Sequence, residues 1–232
     1  VTHKMQTSRK LYIIATPIGN LEDITLRAIR ILKEVDCVYC EDTRTSGILL
    51  KHYEIDTPRK SYHTHSGENK ENEILSRLEK GESLALITDA GTPGISDPGV
   101  MLIKKVIEEF GHETVSPIPG ASALVSALSA SGVDTSEFVF LGFMPHKKGR
   151  KTKTEEALSM DRTVIFYEST HRIEKLLEEI KSVNNTKKII LARELTKHFE
   201  EFLEGTAEEI LEIFKNTPEK MKGEFVVIIE KQ

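Results

Sequence analysis

Two α/β domains are what the sequence predicts, a mainly parallel sheet over residues 1–117 and a mixed sheet over residues 118–232. Three observations predict them. Through the first half, strand-length apolar runs alternate with runs of helical period, the pattern of βαβ units. In the second half, neighbouring strand patterns follow one another without a helical crossover, and strands joined that way pair antiparallel. Between the halves, "SPIPG" packs two prolines and a glycine into five residues and marks a boundary near residue 117.

"KLYIIA" is the first strand, leading through "TPIGNLED" into "ITLRAIRILKEV". There Ile24, Ala28, Ile31 and Val35 keep helical spacing, with Asp23 as the expected N-cap. "DCVYC" is a strand, "TSGILLKHY" a helix and "KSYHTH" a strand. "ENKENEILSRLEKG" is a helix stopped by Gly81. "SLALIT" is a strand, and "DPGVMLIKKVIEEFG" a helix with Asp97 or Ser96 as cap and Pro98 in its first turn. "HETVSPIPG" gives one more strand. The second half reads "ASALVSALSASG" (helix), "FVFLGF" (strand), "HKKGRKTKTEEALSM" (basic loop, then helix) and "RTVIFYE" (strand). "STHRIEKLLEEIKS" (helix), "KKIILARE" (strand) and "HFEEFLEG" (strand) follow. "TAEEILEIF" opens on a Thr206/Glu209 capping box, and "GEFVVIIEK" is the last strand.

Of the 232 residues, 38% are hydrophobic and 30% charged, as in a soluble globular protein. No run approaches the ~20 apolar residues of a membrane helix and the first residues hold no signal-peptide core, so a cytoplasmic protein without a membrane partner is expected. The formal net charge of −5 excludes nucleic-acid binding through a broad basic field and leaves a local patch as the route to RNA. Cys37 and Cys40 are the only cysteines. On a strand their odd offset puts the sulfurs on opposite faces, so they are expected to be buried thiols, neither bridged nor sharing a metal. His63 and His65 share a strand face, but no third ligand stands at a sensible spacing, and no metal is expected.

Three loops of small residues fall at what should be one edge of the first sheet. "ITDAGTPGISDPG" follows a strand and precedes a helix, with Asp89 and Asp97 and no lysine or arginine. It matches neither phosphate-loop pattern, and its carboxylates would repel a phosphate, so it suits a cationic ligand approached closely by backbone. "ATPIGNLED" is a second such loop, and "PIPGASALVSALSASG" starts its helix on Ser122 and Ala123, small enough for close contact. Ligands of open α/β sheets sit at this carboxyl edge.

"ATPIGNLEDIT", "EDTRTSGILL", "ITDAGTPGISDPG", "PIPGASALVSALSASG", "GFMP", "YESTHR" and "ARELTKHFEE" stand in this order over about residues 10 to 230. Together they resemble the ribosomal RNA branch of the tetrapyrrole methylase superfamily. The resemblance implies two α/β domains with a cofactor cleft between them, a homodimer, and S-adenosylmethionine as the methyl donor. It implies 2′-O-methylation of a cytidine in the decoding region of small-subunit (16S) ribosomal RNA, with that RNA or the small ribosomal subunit as partner. The donor, net cationic, would be held by Asp89, Ala90, Gly91, Thr92 and Ile95, with Pro17, Ser122 and Ala123 nearby and Phe166 and Tyr167 on the second-domain wall. Where the small-molecule branch has G-x-G-D-P, this chain reads Ala90-Gly-Thr-Pro93, as the RNA branch does. Many members of that branch continue for several dozen residues past the position of Gln232. A tetrapyrrole methyltransferase is the alternative reading, and a ribosome-associated binding protein without activity a third.

Methyl transfer needs an aligned attacking oxygen and a base or hydrogen-bond donor to help a poor hydroxyl nucleophile. Polar motifs at strand ends supply candidates: Asp42 and Arg44 in "EDTR", Glu168 in "YEST", and Arg193, Glu194 and Lys197 in "ARELTK". Glu168 or Glu194 is the expected base, with Asp42 a further catalytic candidate. "MPHKKGRKTKT" carries Lys147, Lys148, Arg150, Lys151 and Lys153 without an acid, and is the expected RNA contact together with Arg44 and Arg172.

Overall fold

The computed structural model describes residues 9–63, 66–97 and 99–231. They divide into one compact unit ending at Ser122 and a second beginning at Ala123.

In the first unit, β1 (Lys10–Ile14), β2 (Cys37–Cys40), β3 (Arg59–Ser61), β4 (Ser83–Ile87) and β5 (Val115–Ile118) form one parallel sheet, in the order β3-β2-β4-β1-β5. The connecting helices are α1 (Leu26–Glu34), α2 (Thr43–His52), α3 (Gly67–Glu79) and α4 (Val100–Phe110). Strand alternation sorts the side chains into two layers. Ile14, Val38, Cys40, Ala85 and Ile87 pack under Ala28, Ile31 and Leu32 of α1 and Leu49 and Leu50 of α2. Leu11, Ile13, Cys37, Tyr39, Leu84 and Leu86 pack under Ile74 and Leu78 of α3 and Leu102 and Val106 of α4. Each such leucine or isoleucine contributes roughly 1.5–3 kcal/mol by leaving water. The two free, buried cysteines lie on opposite faces of β2, as their spacing predicts.

That sorting fixes where a ligand can enter. The chain leaves β1 and β2 toward the α1/α2 face, whereas it leaves β4, which lies between them, toward the α3/α4 face. The loop after β4 therefore departs from both its neighbours. A crevice opens at such a switch point.

Two caps differ from the sequence reading. The hydroxyl of Thr25, not Asp23, caps α1 by accepting the Ala28 N–H at 3.1 Å; Asp23 falls in a 3-10 turn, Leu21–Asp23, capped by Asn20. At α4 neither Asp97 nor Ser96 caps. The cap position is Gly99 at φ 126°, and the Asp97 carboxylate accepts instead from the Thr88 hydroxyl at the end of β4. Pro98, expected in the first turn of α4, lies outside the described residues, as does His65, expected to share a strand face with His63.

In the second unit, β6 (Phe138–Phe143) and β7 (Thr163–Ser169) pair parallel, while β8 (Ile189–Arg193), β9 (Glu201–Gly205) and β10 (Glu224–Ile229) complete a mixed sheet ordered β6-β7-β10-β8-β9. Before them stands α5 (Ala123–Ser131); α6 (Arg150–Ser159), α7 (Thr170–Val183) and α8 (Ala207–Asn216) bury one face of the sheet with Val164, Phe166, Leu191, Phe225 and Val227. α5 lies against β8 and β10 and donates a hydrogen bond at the opposite face, from the Leu124 N–H to the Tyr167 hydroxyl at 3.3 Å.

Candidate active site

Thr16 stands two residues past β1 and Thr88 directly after β4, and these threonines tie the edge of the first sheet together. The Thr16 N–H donates to the Gly91 carbonyl at 2.9 Å and the Gly91 N–H to the Thr16 carbonyl at 3.0 Å, an isolated antiparallel bridge between two loops. The Thr16 hydroxyl donates to the Thr88 carbonyl at 3.0 Å. The Thr92 hydroxyl reaches the Ala121 carbonyl at 3.2 Å, joining the loop after β5. Gly91 makes the bridge at φ 84°, in the left-handed region where other L-residues are strained. The three small-residue loops of the sequence thus meet at one edge, with Pro17 and Gly91 buried, Asp89 and Ala90 exposed, Ile95 46% exposed and Ser122 half-buried.

The edge is crowded with negative charge. One hydroxyl proton, that of Thr88, faces two carboxylates: it donates to Asp97, and Glu41 Oε2 stands 3.4 Å away. Asp89 is beside them, accepting the Asp42 N–H at 3.1 Å. Burial, then the charges of Asp97 and Asp89, push the Glu41 carboxyl above its ordinary value. Burial pushes Asp97 up as well, against the hydrogen bond from Thr88. Both shifts come first from burial, and the neighbouring carboxylates add to them. Sequence reasoning named Asp42 and Arg44 within "EDTR" and passed over their neighbour Glu41.

The other acidic candidates sit differently. Asp42 caps α2 by accepting the Arg44 N–H at 2.7 Å and pairs with the Arg44 guanidinium at 2.8 Å, which holds it down to about 2. Arg44 itself is 90% exposed. Glu194, at the end of β8, is partly desolvated, yet its carboxyl is held below the ordinary range by the Glu224 N–H and the Lys197 ammonium, each at 2.9 Å. Its neighbour Arg193 is buried and directed onto the carbonyls of Lys222, Phe199 and Glu219 and the Glu201 carboxylate. The Glu168 side chain is fully buried between two arginines, at 2.7 Å from Arg172 Nε and 3.1 Å from Arg150 Nη1.

Two placements correct the sequence reading. Phe166 is 1% exposed beneath α6–α8, while Tyr167, next along β7, faces the opposite side against Phe140, Phe143 and α5; with a period of two, one strand cannot present both to one wall. Arg150 is no surface cation. It starts α6 only 3% exposed, because its guanidinium is enclosed by Glu168, Glu179 and backbone carbonyls. Lys147 and Lys148 stay exposed in the turn before α6, Lys151 is 77% exposed on its first turn, and Lys153 pairs with Glu156 at 3.0 Å. Arg172 is half-buried. Ala123, the first residue of α5, is half-buried.

Comparison with known proteins gives the following. A model of the family described as Tetrapyrrole (Corrin/Porphyrin) Methylases matches residues 10–211. Ribosomal RNA small subunit methyltransferase I of Haemophilus influenzae is 47% identical over 222 residues, covering 95% of this chain and 78% of the relative. The protein of the same name from Bacillus subtilis is 43% identical over 221 residues, covering 95% of this chain and 74% of the relative. Among solved structures, a cobalt precorrin-4 methyltransferase superposes with a TM-score of 0.68 at 16% identity, over 99% of this chain and 97% of the other. A diphthine synthase does so with a TM-score of 0.71 at 14% identity, over 96% of this chain and 90% of the other. A uroporphyrin-III C-methyltransferase from Thermus thermophilus, complexed with S-adenosyl homocysteine, has a TM-score of 0.63 at 16% identity, over 96% and 97%. These likenesses share the fold.

Proposed function

The chain belongs to the tetrapyrrole methylase family, and from that premise we propose that it transfers a methyl group from S-adenosylmethionine to the RNA of the small ribosomal subunit. The finer reading is a 2′-oxygen of a cytidine in the decoding region. The observation that carries the donor assignment is the carboxylate-crowded edge at the switch point, where Glu41 and Asp97 face one Thr88 hydroxyl and Asp89 stands beside them. A ligand with a sulfonium and an ammonium against one carboxylate brings the missing positive charge. The name shared by the Haemophilus influenzae and Bacillus subtilis relatives supports the acceptor.

The residues present fit such a donor. Asp89, Ala90, Gly91 and Thr92 would line it, the Thr16–Gly91 bridge holding their backbone in place, with Ile95, Pro17 and Ser122 alongside. When bound, the donor supplies a methyl group already activated on a cationic sulfur. What the chain adds is orientation, which is worth about 7–11 kcal/mol when reacting atoms are held in line. Exposed Lys147, Lys148 and Lys151 are the local cations that an RNA backbone would meet on an acidic protein. Among the described residues no helix is long and apolar enough to cross a membrane, and we place the activity in the cytoplasm, in a homodimer that light scattering would register at twice the mass of one chain.

Calorimetric titration with S-adenosylmethionine tests the donor site. Wild-type chain binds it, and Gly91→Ala, which puts a Cβ on a residue held at φ 84° in the left-handed region, weakens binding by about tenfold for a loss near 1.4 kcal/mol. Equal binding by the variant would remove the 88–92 loop from the site.

A further inference from the structure

Glu168 and Arg150 enter the sequence reading as a base and an RNA contact, and their burial fits neither role. The Glu168 side chain is 0% exposed and Arg150 3%. Glu168 Oε1 accepts the Ser169 N–H at 2.9 Å and lies 2.7 Å from Arg172 Nε; Oε2 lies 3.1 Å from Arg150 Nη1. Both guanidiniums then reach past the carboxylate to the same place. Arg172 Nη1 donates to the Met144 carbonyl at 2.9 Å, and Arg150 Nη1 to the Pro145 carbonyl at 3.4 Å. Arg150 Nε closes the cluster on Glu179 at 2.9 Å, and Nη2 on the Arg172 carbonyl at 3.3 Å. Met144 and Pro145 are the last residues before the turn that carries His146, Lys147 and Lys148, whose side chains are exposed. A carboxylate that no solvent reaches cannot touch a substrate hydroxyl, but it holds two arginines, and they hold the root of the turn.

We propose that Glu168 is a positioning residue, which through Arg150 and Arg172 fixes the basic turn of residues 146–149 for its contact with the acceptor RNA; the RNA part rests on the functional reading above. Two cations in a fixed turn meet phosphates without first having to be ordered, so loosening the root weakens RNA binding although no phosphate contact is removed. Donor binding and the chemical step, which the cluster does not touch, are unaffected.

The test compares wild type, Glu168→Gln, Arg172→Lys and the double variant Lys147→Ala/Lys148→Ala. Arg172→Lys keeps the charge and shortens the reach to Met144, so the comparison survives if Glu168→Gln fails to fold. Amide exchange across residues 144–149 reads the clamp without any RNA. Affinity for isolated small ribosomal subunits, measured across salt, reads its consequence. Either clamp variant should speed exchange in that segment and raise the KM for subunits about tenfold, with kcat and donor Kd unchanged. Combined with the lysine variant, it should lose no further affinity, the non-additivity of residues that act as one unit. Unchanged exchange overturns the clamp, and so does additive loss. A fall in kcat at unchanged KM overturns it too, by placing Glu168 in the chemistry. Faster exchange in variants of a wild-type chain that binds no subunits would keep the clamp but remove its RNA role together with the functional reading.

Discussion

Glu41 stands where charge crowding has the clearest consequence. Its raised carboxyl keeps a proton in the folded state at pH values where an unfolded chain, with the ordinary value of 4.5, has lost it. The folded state thus binds more protons than the unfolded one between those two values, and stability falls as pH rises through them. Glu41→Gln should abolish its share of that decline, seen as a flatter dependence of urea midpoint on pH. A bound cation reverses the balance: donor affinity should rise with pH as Glu41 ionises, and Glu41→Gln should lower affinity at neutral pH. Equal affinity in the variant would mean that the donor's charge lies elsewhere. The acidity of this edge was legible from Asp89 and Asp97 alone. The part played by Glu41 was not, because its raised value depends on burial and on the carboxylates of Asp97 and Asp89, which the segment after β4 brings beside the end of β2. Phe166 was legible in principle, since the same period of two that separates Cys37 from Cys40 separates it from Tyr167.

Caps were the least legible feature of the helices. Asp23 and Thr25 are both good capping residues, and only the course of the chain through the 3-10 turn Leu21–Asp23 decides between them. At α4, Asp97 is drawn to Thr88 across the strand end, a tertiary contact that outranks local capping. Where no tertiary competitor exists, the local signal holds. Thr206 accepts the Glu209 N–H at 3.3 Å and the Glu209 carboxylate accepts the Thr206 N–H at 2.7 Å, the capping box that the sequence predicts for α8. Thr206→Ala should destabilise the protein by about 1 kcal/mol. In a thermal scan that lowers Tm by about 2–4 °C, provided the chain unfolds in a single transition. A shift within error would mean that α8 is held by Ile210 and Phe214 in the core alone.

The alternation of strands and helices made both sheets legible, the first as parallel and the second as mixed, because crossover helices leave a periodic trace in the chain and their absence leaves one too. Strand order leaves no such trace. It took the structure to place β4 between β1 and β2, and with it the switch point that gathers the loops after β1, β4 and β5. The basic segment misled for a related reason: a run of cations reads alike whether its members face water or, like Arg150, turn inward to a buried carboxylate. The central claim, a methyl group passed to small-subunit ribosomal RNA, is tested most directly with labelled S-adenosylmethionine. Small ribosomal subunits from a strain lacking this activity serve as acceptor, with naked ribosomal RNA and a porphyrinogen in parallel. Label in ribosomal RNA, mapping to one cytidine 2′-oxygen in the decoding region, is the predicted result. Label in the porphyrinogen alone, or none in any RNA from a chain that binds the donor, would contradict it.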